Sequence, residues 1–203
     1  MEENFDALEV IDRTRGKVNM DSTPSGDSLF ILWGSITAFF YLLEFLLLKS
    51  GFMWAGWLWI GIPLIGCPWM VVILKNDRAR THMRTRISKL VLDYWIFAGC
   101  AICLGGFLFD AFGLYETMEN PMICLLLGIG SFITGEAVRC RPMIVGGLAG
   151  AVMAVGSFVL QGDLWIWQTL SVAVVAISAM VVPGIIYNNR LKHGVSRPGS
   201  HTP

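Results

Sequence analysis

Six long apolar runs alternate with short polar stretches along this chain, and the runs set the fold class. They cover residues 28–48, 54–74, 90–112, 121–138, 143–161 and 164–187. Each is close to the ~20 residues a helix needs to cross a hydrocarbon core about 30 Å thick. A helix also satisfies its own backbone hydrogen bonds, as lipid requires. Residues 145–160 are apolar or small on every side, so the polar stripe of an amphipathic helix in a soluble bundle is missing. The strict alternation of a transmembrane barrel strand is missing too. The pattern predicts an all-α polytopic integral membrane protein with six transmembrane helices in a single bundle.

The flanks read differently. Residues 1–27 are polar and acidic, and Phe5, Leu8 and Ile11 recur every third residue, predicting a short amphipathic helix on the cytoplasmic face. No basic stretch leads into an apolar one there, so a cleavable signal peptide is not expected. Residues 188–203 are expected to form a basic, disordered tail. The organisation expected is a cytoplasmic segment over 1–27, a transmembrane domain over 28–187 and a cytoplasmic tail over 188–203.

Composition agrees with lipid as the main solvent. Of 203 residues 55% are hydrophobic and 15% charged, against about 25% charged in soluble domains, and mean hydropathy is +0.62. Net charge is zero, and no nucleic-acid partner is expected. The distribution of charge says more than its sum. Of the 15 Lys and Arg, all but Lys49 fall in the N-terminal segment, the second and fourth loops, or the tail. Six spans place these on one side, which the positive-inside rule makes cytoplasmic together with both termini. Short loops suit a bacterial inner membrane. Trp54, Trp57, Trp59, Trp165 and Trp167 are expected as anchors at the outer interface.

Ionisable groups inside a membrane are costly and mark candidate sites. Glu44 is the strongest, set in Phe39-Phe40-Tyr41-Leu42-Leu43-Glu44-Phe45-Leu46 with no cation three or four positions away. Asp93 and Glu136 have helical neighbours, Lys89 and Arg139, to pair with. Asp110 lies in the outer part of its span, and with Glu116, Glu119 and Asp163 it makes the outer mouth acidic, a field that concentrates cations. The five cysteines, Cys67, Cys100, Cys103, Cys124 and Cys140, all stand in or beside apolar runs and read as buried, reduced thiols. Three scattered histidines offer no metal set, and no nucleophile or phosphate motif appears. Neither metal, cofactor nor enzymatic activity is expected.

Two surfaces suggest partners. Arg78, Arg80, Arg84, Arg86 and Lys89 crowd the second loop, enough to hold anionic lipid headgroups or to dock the acidic N-terminal helix as a lid. Gly146, Gly150 and Ala154 recur at four-residue spacing, a helix-packing or homodimer face. Gly61, Pro63, Gly66 and Pro68 predict a kinked second span. With minimal loops and few polar groups, the expected function is that of a non-enzymatic scaffold, sensor or accessory subunit acting through lipids or membrane partners. The alternative is a small cation- or proton-coupled transporter built on Glu44, Asp110 and the broken second span.

Overall fold

The computed structural model describes residues 26–78, 86–113, 118–160 and 164–195. Among them are six helices long and apolar enough to cross a membrane, and no strand. The first helix, α1, is Gly26–Lys49. A 3₁₀ segment, Met53–Ile60, leads into α2, Gly61–Arg78. Helices α3 (Arg86–Ala111), α4 (Asn120–Ala137) and α5 (Arg141–Val159) follow. The last, α6, runs as Ile166–Val175, a π-helical stretch Ala176–Val181, and Val182–Val195.

Close contacts fix the directions of the helices. A Cβ on Gly135 would meet Ile144, one on Gly147 would meet Phe132, and one on Gly128 would meet Ala151. One number rises as the other falls, so α4 and α5 are antiparallel. The same holds for α1 with α6, through Gly34 against Met180 and Phe45 against Trp167. It holds for α3 with α4, where Trp95 Nε1 donates to Thr134 Oγ1 and Gly105 faces Met122. Helices α4 and α6 are parallel, Asn120 bonding Thr169 and Ser131 bonding Ala179. Up-and-down order follows. Lys75, Arg78, Arg86, Lys89, Arg139, Arg141 and Arg190 gather at one end, and Lys49 stands at the other.

Small residues make the core. In α5, Gly146 and Gly150 are buried, and a Cβ would strike the Ser178 carbonyl at 2.6 Å in the first case and Gly128 Cα at 2.9 Å in the second. Ala154 is buried one turn further on. This stripe therefore faces α4 and α6 of its own chain, and a homodimer seam along it has no free surface. Backbones approach this closely only where side chains are absent.

The turns are tight for identifiable reasons. After α4, Arg139 takes φ 52°, while Cys140 N–H bonds Gly135 O and Arg139 N–H bonds Glu136 O, the paired bonds of a Schellman cap. Gly51, at φ 87°, closes α1 in the same way, with Phe52 N–H on Leu47 O and Gly51 N–H on Leu48 O.

Several expectations change. The second span is not one kinked α-helix over 54–74. It starts as a 3₁₀ segment, whose i, i+3 alignment puts Trp54, Trp57 and Ile60 on one exposed edge while Trp59 turns inward. Pro63 then falls in the first turn of α2, where the missing N–H has no partner to lose, and Pro68 lies within the helix. The fifth helix ends at Val159 and the sixth resumes at Ile166, a wider gap than two residues. Only Cys124 and Cys140 are buried; Cys67 and Cys100 are exposed, since α2 and α3 turn much of their surface outward. The amphipathic N-terminal helix, its docking, and Arg80 and Arg84 lie outside the described residues, as do the side chains of Arg78 and Arg86.

The π-helical stretch has a local cause. Pro183 carries no N–H, and its ring crowds the carbonyl four residues earlier, Ala179. The chain widens there, with Val182 N–H reaching Ile177 O five residues back. Ser131 Oγ of α4 donates to Ala179 O at 2.5 Å, and Met143 O stands 3.2 Å from the same hydroxyl. Pro183 is thus held in a buried position without an orphaned Ala179 carbonyl.

Candidate functional site

The helix registers bring one set of polar residues to a common level. Stepping along the pairings above places Glu44 of α1 opposite Gln168 of α6. Gln168 is level with Glu119, the residue capping α4. Glu119 is in turn level with Gly106 of α3, and Ser157 of α5 falls in the same layer. It lies about one turn in from the end that carries Lys49, and the 3₁₀ segment closes its remaining side.

Within this layer Glu44 is 1% exposed and Glu119 3%. Asn120, Ser157, Gln168 and Thr169 are buried beside them. Asn120 Nδ2 donates to Thr169 Oγ1 across a long 3.5 Å, and Gln168 Nε2 donates to Leu160 O at 2.5 Å. Gln168 Oε1 has no hydrogen-bond partner among the described residues. All buried charged groups among these residues are carboxyls; no Lys or Arg is buried.

The fold around Glu119 shows how room is made for a carboxyl. Pro121, close behind, suits the first turn of α4, and the helix N-terminus favours negative charge. Glu119 Oε1 lies 3.3 Å from where a Cβ on Gly106 would stand, and the Trp59 ring 3.2 Å from it. Gly106 is therefore the gap that the carboxylate and the indole share. Trp59 packs edge-on to Phe107 of α3, centroids 5.2 Å apart. Glu119 thus belongs to α4 but is covered by the 3₁₀ segment and α3.

Towards the nearby end, Phe45 and Trp167 pair with centroids 5.3 Å apart. Lys49 Nζ stands 5.9 Å and 5.6 Å from these two rings, within cation–π range.

The candidate ionisable residues are not gathered together. Glu44 is in the buried layer. Asp93 and Glu136 are exposed on the flanks of the bundle, nearer its basic end. Asp110 lies in the last turn of α3, with its side chain outside the described residues. Glu119 was expected in an acidic loop and is instead walled in. The legible signal was the sequence Glu119-Asn120-Pro121, a helix start that carries the acid into the bundle. No group of three or more His, Cys, Asp or Glu able to hold a metal ion occurs among the described residues. Set against known proteins, the chain matches no family model, no curated protein and no solved structure.

Proposed function

We propose that this chain is a multi-pass protein of a bacterial inner membrane, basic end and termini in the cytoplasm, that works as a small cation- or proton-coupled transporter. The observation that carries this reading is the burial of two carboxyls, Glu44 and Glu119, in one layer with Asn120, Gln168 and Thr169. Carboxyls in a hydrocarbon setting are expensive and rare, and a pair of them among neutral amides and hydroxyls suits a proton or a cation that comes and goes. Fourteen of the 15 Lys and Arg fall on the side of the basic loops, which supports the orientation.

The test uses the full chain in sealed vesicles holding a pH-sensitive dye. Addition of sodium, potassium or tetramethylammonium outside should dissipate an imposed pH gradient for at least one cation. Glu44→Gln and Glu119→Gln should each slow that flux about tenfold or more, as expected when a buried charge site is neutralised. A wild-type flux equal to that of both variants and of empty vesicles overturns the reading.

A specific observation favours a second reading, that of an accessory subunit held by a membrane partner. Helices α2 and α3 expose Leu64, Ile65, Val72, Phe97 and Leu104, and only 11% of each spanning window is buried. A partner copurifying in mild detergent and lost on Val72→Arg would support it.

A further inference from the structure

A groove runs along the seam between α5 and α6. It is an open groove of about 330 Å³, lined by Met153 and Leu160 on one side and by Trp167, Leu170, Ser171 and Val174 on the other. The α6 residues recur at helical spacing along one face. Trp167 to Val174 spans seven residues, so the groove extends about 10 Å along the helix axis. It starts at the end that carries Lys49 and reaches towards the middle of the bundle.

Its chemistry is that of an alkyl chain's environment. Five of those six side chains are apolar. The exception, Ser171, turns its hydroxyl onto its own helix, donating to Trp167 O at 3.2 Å, so the wall is almost wholly apolar. A peptide would leave its backbone amides unsatisfied there; a hydrocarbon tail would not. The volume lies at the lower end of ligand pockets, about 300–1,000 Å³.

The mouth supplies the other half of the recognition. Trp167 is both a wall of the groove and one of the two rings beneath Lys49. The exposed Lys49 ammonium is held by Phe45 and Trp167 at that end, and it is the single Lys or Arg that the sequence places there. A cation at a polar mouth above an apolar slot is complementary to a phosphate joined to an acyl chain. We infer that this seam binds one phospholipid of the surrounding leaflet, with its phosphate on Lys49 and an acyl chain lying in the groove. The inference needs the chain to be in a bilayer, and it is independent of any transport by the carboxyl layer.

The test reconstitutes the full chain in phosphatidylcholine nanodiscs containing a trace of phospholipid with a photoreactive diazirine at mid-chain. Cross-linked residues are then mapped by mass spectrometry. Labelling should concentrate on Met153, Leu170 and Val174, above the lipid-facing Leu64 and Val72 of α2. Lys49→Gln should reduce that excess about fivefold, the worth of one basic side chain at a membrane surface. Val174→Trp, at a half-exposed position, should fill the slot and remove it. The same diazirine chain carried by a fatty acid methyl ester, which has no phosphate, should show no excess, and added glycerol phosphate should not compete. Equal labelling of the groove and α2 overturns the site. An excess shared by the methyl ester and unchanged in Lys49→Gln overturns the assignment to a phospholipid.

Discussion

Helices α1, α4, α5 and α6 are held together by backbones, whereas α2 and α3 are held on by rings. In the four-helix core the near contacts at glycine are mostly main-chain atoms or the Cβ and Cγ carbons of aliphatic side chains. Examples are Phe132 N against Gly147, Ser178 O against Gly146 and Met180 Cβ against Gly34. In the attached pair most are the outer atoms of aromatic rings: Phe40 on Gly61, Trp33 on Gly66 and Trp59 on Gly106, with Met122 on Gly105 the exception, and Tyr94 and Trp95 reach out to Gly130. Burial follows the same division, 56% of the spanning windows of α4 and α6 against 11% for α2 and α3. Main-chain atoms in a packed helix have nowhere to go, while a ring turns about χ1 and χ2. The core is therefore the part that fixes geometry, and the pair is the part that can be displaced at low cost. The carboxyl of Glu119 stands at the boundary between them.

The largest test of this difference is Gly147→Val. Its Cβ would lie 2.5 Å from Phe132 N and 2.7 Å from Gly128 O, so α4 and α5 must separate. Overpacking of this kind costs about 3 kcal/mol or more. The expected result is loss of the monodisperse peak in size-exclusion chromatography after mild detergent extraction. A variant with unchanged thermal unfolding would show that the α4–α5 contact is not the rigid element.

Ser131→Ala comes next. It removes one hydroxyl and no volume of note, but leaves Ala179 O without the donor that Pro183 cannot replace. Burying an unsatisfied acceptor costs about 1–3 kcal/mol, read as a lower midpoint in thermal unfolding. Pro183→Ala in the same background supplies an N–H and should recover part of the loss. If the double variant is no more stable than Ser131→Ala, the hydroxyl is not acting through the proline break.

The helices were legible in the sequence because lipid demands a single simple property, an apolar run of sufficient length, and each of the six runs shows it. The small-residue stripe of α5 was legible for the same kind of reason, although Gly146 cannot by itself reveal whether its neighbour is Ser178 of its own chain or another copy. The layer around Glu44 was half legible. Glu44 stood out because all seven of its neighbours over residues 39–46 are apolar or aromatic. Glu119 did not, because an acid next to Asn120 and Pro121 reads equally well as a loop, and only the register of α4 against α3 puts it beneath Trp59. The π-helical stretch was hidden for a similar reason. Pro183 announces a local break, but the form of the break depends on Ser131, 52 positions earlier in the chain.

The smallest effect is the sharpest discriminator, because it separates ring packing from simple exposure within α2 and α3. A Cβ on Gly66 would meet Trp33 Cη2 and Cζ3 at 2.7 Å, the far side of a ring that can swing. One on Gly99 would meet nothing within 4 Å. Both residues lie inside helices, so alanine gains up to about 1 kcal/mol of helix propensity at each. At Gly99 that gain should appear whole, as a small rise in unfolding midpoint. At Gly66 it should be offset by the displacement of Trp33, leaving a net change below about 1 kcal/mol. Trp33 also packs against the core, so Gly66→Ala in addition reports how firmly α2 is attached. A loss at Gly66 as large as that of Gly147→Val would mean that the ring is as immovable as a backbone, and the division between core and attached pair would fail.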